Sequence, residues 1–143
     1  MSRYQNVERL RAFSEAWGQK ARTLEDWQQG EVIDMSMLDP DVIYEDANLP
    51  DHAGERYHGH EGVVRAAQRW IEPNEWLLVE LERIVGAGDC LVSIHRMRSK
   101  ARHTGIEFDA PLAYLWRFRD GKVTYFRSFL DPAEALKAVG MAE

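Results

Sequence analysis

Residues Thr104 to Asp131, TGIEFDAPLAYLWRFRDGKVTYFRSFLD, hold two apolar runs that meet at Arg119-Asp120-Gly121-Lys122 and close on Asp131-Pro132. Asp-Gly between alternating apolar residues marks a tight hairpin, because both central positions of such a turn take positive φ. The segment therefore reads as one long antiparallel hairpin. Along its first arm Leu112, Tyr114, Trp116 and Phe118 share one face, while Ala113 and Leu115 share the other with Asp109 and Arg117. A sheet apolar on both sides needs two covers. Helices of the chain are expected over one. A second copy is expected over the face of Leu112, Tyr114, Trp116 and Phe118, giving a homodimer. The acid and the base among the apolar residues of the opposite face point to a lined pocket there, bordered by Asp109 and Leu115.

Working outward, 143 residues with 45% hydrophobic content and five Trp suffice for one domain, 1–143, with a substantial core. A net charge of −6 and the lack of a Lys/Arg run argue against nucleic acid and anionic membranes as partners. A small neutral or cationic ligand fits better, and the pocket suggests an apolar one. The N-terminal residues lack a signal-type apolar core and no segment approaches a spanning length, so a cytoplasmic location is expected. The single Cys90 lies inside an apolar strand and reads as packing.

Val7, Leu10, Phe13 and Trp17 form the stripe of a first amphipathic helix ending near Gly18. Thr23 and Asp26 open a second, whose apolar signal runs on through Val32 to Leu38, with a break at Gly30, and stops at Asp39-Pro40-Asp41. A short strand, Val42 to Asp46, precedes a loop from Ala47 to His60. A third helix spans Glu61 to Glu72. Strands follow over Trp76 to Val85 and Cys90 to Arg98, then the hairpin, then a last helix from Asp131 to Val139. This order predicts an α+β fold: a cone-shaped curved antiparallel sheet with three or four helices on its concave face.

Several of these stretches together resemble the nuclear transport factor 2-like superfamily and, within it, the SnoaL-like polyketide cyclase branch. They are Asp39-Pro-Asp-Val-Ile-Tyr-Glu-Asp46, Tyr57-His-Gly-His-Glu-Gly-Val63, Gly88-Asp89 and Trp116-Arg-Phe-Arg-Asp-Gly-Lys-Val123, with Arg127 and Asp131. The resemblance spans nearly the whole chain and implies a cystatin-like, ketosteroid isomerase-like α+β barrel. It leaves the reaction open, because the superfamily holds isomerases, cyclases, epoxide hydrolases and binding domains.

Asp46 falls where ketosteroid isomerases carry their general base, although an Asp before a Pro-rich loop also caps backbone N–H groups. Similarity to limonene epoxide hydrolase implies catalytic roles for Tyr44, Asp46, Arg96 and Asp131. That family's Arg-x-Asp, however, is Arg96-Met97-Arg98 here, so its proton-donating acid is missing. Asp131-Pro-Ala-Glu also reads as a helix cap, a role compatible with one carboxylate oxygen facing a cavity. Arg96, Arg98, Arg117 and Arg127 either hold a ligand oxygen or pair with Asp46, Asp109 and Asp131. His52, His58 and His60 cluster in one loop without metal-ligand spacing, so no metal is expected, and His58 or His60 is a lid or proton-shuttle candidate or simply solvent-exposed. His95 and His103 read as structural. Trp70, Trp76 and Trp116 stack on a ligand or pack the core.

The reading that results is a cofactor-free enzyme moving protons on an apolar carbonyl or epoxide metabolite. Asp46 would be the base, Tyr44 and an arginine the oxyanion donors, Asp131 or Asp109 the orienting acid, and Trp70, Asp109, Leu115, Arg98, Arg127 and His60 the substrate contacts. The alternative is a non-catalytic binding module with the same pocket. No phosphate-binding glycine loop is present to suggest a nucleotide cofactor.

Overall fold

The computed structural model describes residues 2–30, 34–46, 55–87 and 89–140. In chain order the elements are α1 (Arg3–Trp17), α2 (Leu24–Gln28), β1 (Leu38–Asp46), β2 (Glu55–His58), α3 (Gly59–Ile71), β3 (Asn74–Ala87), β4 (Cys90–Ala101), β5 (Glu107–Arg119), β6 (Lys122–Phe129) and α4 (Pro132–Ala138). The strands form one curved sheet in the order β2-β1-β6-β5-β4-β3, not closed into a barrel. All neighbours are antiparallel except β1 and β6, which run parallel and carry the chain's first strand into the middle of the sheet. No helix of the described residues is long and apolar enough to cross a membrane.

The Asp-Gly turn forms as its chemistry requires, with φ of 51° at Asp120 and 79° at Gly121. At the N-terminus Ser2 and Gln5 make a reciprocal capping box, which starts α1 four residues before its apolar stripe begins at Val7. A second glycine is needed at Gly59, where φ is +73° and a Cβ would lie 3.3 Å from the Pro40 carbonyl oxygen. That glycine lets α3 start directly from β2, two residues earlier than the apolar pattern implies.

The second helix is shorter than expected. It ends at Gln28, Gly30 has φ of 98°, and Met37 already sits in a turn that feeds β1. Met37 and Leu38 are buried in the core, so the end of the apolar run belongs to a turn and a strand start, not to a helix, while its beginning at Val32 lies outside the described residues. Asp39-Pro40-Asp41 consequently lies within β1, where the register with β6 shifts between Leu38 and Ile43 and tolerates a residue without an N–H. The expected loop from Ala47 to His60 contains β2, and its stretch 47–54, with His52, falls outside the described residues.

Strand alternation sorts β5 into two faces, as the sequence requires, but the covers differ from expectation. Leu112 (0% exposed) and Trp116 (3%) point into the concavity beneath α1 and α3. Tyr114 and Phe118 pack in the same core. This face is thus closed by the chain's own helices and is not the outer surface for a second copy. Ala113 and Leu115 lie on the convex face, where α4 covers them with Ala135 and Leu136. Three helices therefore attend the concave side and the fourth the convex side. Alternation distinguishes two faces but carries no information on which way the sheet curves.

Trp116→Glu places a charge in a packed aromatic cluster. It is expected to cost about 3–5 kcal/mol of folding stability in urea unfolding, with no dependence on protein concentration. A variant as stable as the parent and altered only in association would contradict this placement.

Candidate functional site

A cavity of about 90 Å³ lies between the concave face and the helices α1 and α3. Phe13 and Trp17 of α1 and Val63, Ala66 and Trp70 of α3 form its roof, and Leu77, Val79, Tyr114, Trp116 and Phe126 of the sheet form much of its floor. The wall is therefore mainly aromatic and aliphatic, as a ligand pocket requires, with few polar groups to orient a guest.

Asp46, the last residue of β1, is 0% exposed. The parallel register sets it opposite Ser128 of β6, and the antiparallel registers carry the same row across to Tyr114 and Ser93. Ser128 Oγ donates to Asp46 Oδ1 at 3.2 Å, and Trp70 Nε1 donates to Oδ2 at 2.9 Å from the neighbouring helix. A buried carboxylate is tolerated only with such donors. The cavity lies next to this pair: Trp70 borders it, and so does Tyr44, two residues before Asp46 on the same face of β1.

Tyr44 stacks between Phe126, at 4.5 Å between ring centroids, and Tyr57, at 5.9 Å. Burial holds its phenol well above the usual range, reinforced by Tyr114 and the Asp46 charge and opposed by a bond to Ser128. The Tyr114 phenol is raised as well, by burial first and then by Asp46. Both phenols stay protonated and available as donors. At the rim Arg69 binds both Glu55 and the Tyr57 hydroxyl, tying α3 to β2. Burial and the bond to Glu55 push Tyr57 up to about 12.

The sheet brings Asp46, Tyr44 and Trp70 together and separates them from the other candidates. Arg96 pairs with Asp109, and Arg98 with Glu80 at 2.9 Å, on the convex face. Arg127 lies 4.7 Å from the Phe129 ring on that same face, and Leu115 is covered there by α4. Asp131 is exposed and caps α4 through a 3.0 Å bond from the Ala133 N–H. His60 Nε2 lies 2.9 Å from the Leu38 carbonyl oxygen and latches the start of α3 to β1. None of these residues borders the cavity. The reason is a single choice of face: Asp109, Leu115 and the arginines of β4 and β6 share one parity, and it is the convex one. Trp76 is likewise not a lining residue. Among the described residues no three His, Cys, Asp or Glu side chains gather as metal ligands.

One cavity group escapes a reading of residues one at a time. His95, 3% exposed, borders the cavity, and its Nε2 lies 2.7 Å from Ser93 Oγ, which also accepts a bond from Trp116 Nε1 at 2.8 Å. Burial pulls the imidazole down to about 4. The signal was available in the period-two pattern: His95 shares its parity with Leu91 and Ser93 and pairs with Leu112.

The sequence matches the model of the SnoaL-like domain family over residues 10–126. Among solved structures it is similar to a nuclear transport factor 2-like protein of Burkholderia pseudomallei K96243, with 21% identity, 98% of this chain and 99% of that one covered, and a TM-score of 0.69. It is also similar to a putative SnoaL-like polyketide cyclase of Jannaschia sp. CCS1, at 22% identity, 100% and 98% coverage and a TM-score of 0.65. An epoxide hydrolase of Mycobacterium tuberculosis, of the limonene epoxide hydrolase type, aligns at 16% identity, 95% and 90% coverage and a TM-score of 0.60. The search of curated proteins finds no match.

Because the folded His95 titrates near 4 and an unfolded histidine near 6.5, the unfolded chain binds the extra proton first as pH falls. Stability therefore drops between these values, by an amount on the order of 3 kcal/mol. Urea unfolding across that range should show a shallower loss in His95→Asn than in the parent. Parallel profiles would refute the assignment.

Proposed function

This chain belongs to the SnoaL-like domain family, and from that premise we propose that it is a small-molecule enzyme whose Asp46 carboxylate removes a proton next to the carbonyl of an apolar ligand. The observation that carries this reading is the setting of Asp46. It is fully buried beside an aromatic cavity, and neutral groups, the Trp70 indole and the Ser128 hydroxyl, bind its two oxygens. Arg96 and Arg98, which a binding module could have paired with Asp46, are engaged with Asp109 and Glu80 on the convex face. Neutral dipoles orient a carboxylate without cancelling its charge. A carboxylate held in a fixed orientation is what a general base needs.

The rest of the cavity supports the same chemistry. Proton removal beside a carbonyl builds negative charge on the oxygen, and the protonated Tyr44 and Tyr114 phenols can donate to it. The proton held by Asp46 returns to a different carbon in an isomerisation, or the carbanion attacks a second carbonyl in a cyclisation. Neither step calls on a cofactor. A carbonyl substrate is favoured over an epoxide because Arg96 and Asp131 lie away from the cavity and Arg96-Met97-Arg98 supplies no acid.

Simple cyclic ketones incubated in D₂O provide the test, with α-deuterium incorporation read by mass spectrometry. The parent protein should accelerate exchange, and Asp46→Asn should lower the rate about 10²-fold or more while ketone binding persists. Equal exchange in both proteins rules out Asp46 as the base. Binding with no exchange in the parent favours the non-catalytic module.

A further inference from the structure

His95 carries an unspent hydrogen-bonding group at the cavity. Its Nδ1 is buried and has no hydrogen-bond partner, while Nε2 meets Ser93 Oγ at 2.7 Å. The pairing of Ser93 bears on the state of the ring. The Trp116 indole N–H only donates, and it donates to Ser93 Oγ at 2.8 Å. Ser93 has one proton to give and is 0% exposed, with His95 Nε2 as its side-chain acceptor. If Ser93 donates to Nε2, the Trp116 N–H, the Ser93 hydroxyl and His95 Nε2 are all paired, and the ring proton sits on Nδ1, which has no partner in the structure. In the opposite tautomer Nε2 donates to Ser93, whose own proton then lacks this acceptor in a sealed interior. Burial keeps the imidazole uncharged, so what His95 offers is a neutral N–H donor.

A buried donor without an acceptor is costly, and its natural partner is a ligand oxygen in the adjoining space. We propose that the His95 Nδ1–H binds the carbonyl oxygen of the ligand, so that this cavity selects neutral ketones and enones over hydrocarbons of the same shape. The polar row from Asp46 through Ser128 and Tyr114 to Ser93 crosses three strand spacings, roughly 14 Å between the outer backbones. His95 therefore lies on the same concave face as Asp46 but toward the other end of this row, and as a neutral group it brings no cation to the site. The inference rests on the cavity being the ligand site proposed above, but not on Asp46 being a base.

Two measurements decide it. In protein labelled with ¹⁵N-histidine, long-range ¹H–¹⁵N spectra should show His95 protonated on Nδ1 and unprotonated on Nε2 throughout about pH 6 to 8. Proton placement on Nε2, or an imidazolium in that range, overturns the proposal. With 2-cyclohexen-1-one and cyclohexene as probes, quenching of tryptophan fluorescence should give about tenfold tighter binding of the enone. His95→Phe should bring the two affinities together while cyclohexene binding holds. Ser93→Ala, which removes the proton donor that sets the tautomer, should do the same if His95→Phe fails to fold. Equal binding of both probes by the parent, or enone preference surviving these substitutions, overturns the proposal. Asp46→Asn should retain the preference. Enone selectivity without α-deuterium exchange then defeats the base alone, and exchange without selectivity defeats the His95 role alone.

Discussion

The hydrogen bond from Trp70 Nε1 to Asp46 Oδ2, 2.9 Å long, joins the end of β1 to α3 across the concavity and makes a buried carboxylate tolerable. An uncompensated charge at a site with 0% exposure would cost several kcal/mol. Ser128 supplies the second donor only because β1 lies parallel beside β6, and that pairing inserts β1 between the edge strand β2 and the hairpin arm. The helix seat, the strand order and the candidate base are thus aspects of one arrangement. Loss of the indole N–H would loosen α3 and change the cavity at the same time.

Around that arrangement the sheet separates two kinds of chemistry by strand parity. The concave face gathers aromatic rings and neutral donors, with Trp116 stacked 4.7 Å from Phe126 and Tyr114 meeting His95 edge-on at 5.4 Å. The convex face keeps its arginines in ion pairs or over rings: Arg96 with Asp109, Arg98 with Glu80, and Arg117 5.3 Å from Tyr125. Exposed pairs of this kind contribute little to stability. Their effect on the site is indirect. With these cations held on the outer surface, the concave face keeps Asp46, the phenols and the imidazole of His95.

Much of the fold was legible in the chain. The Asp120-Gly121 turn, the stripe from Val7 to Trp17 and the Asp131-Pro132 cap each depend on contacts within a few residues, so local chemistry determines them. The reading slipped where an apolar run served two elements. Met35, Met37 and Leu38 look like a helix continued past Gly30, yet long-range packing beneath α1 and against Val123 makes them a turn and a strand start. Period alone cannot separate a short buried strand from a helical turn.

For the site, the sequence by itself determined that Tyr44 and Asp46 share one face of their strand, that successive residues of β5 alternate between faces, and that Asp131 caps a helix. Covalent geometry and nearest neighbours set both. Which face becomes the interior was decided by the tertiary structure, because curvature and helix placement depend on strands far apart in sequence finding each other. That decision put Arg96, Arg98, Asp109, Leu115 and Arg127 outside and His95 inside. The polar row from Asp46 to Ser93 likewise exists only in the folded sheet, where four strands bring into line residues up to 82 positions apart in the chain, as Asp46 and Ser128 are.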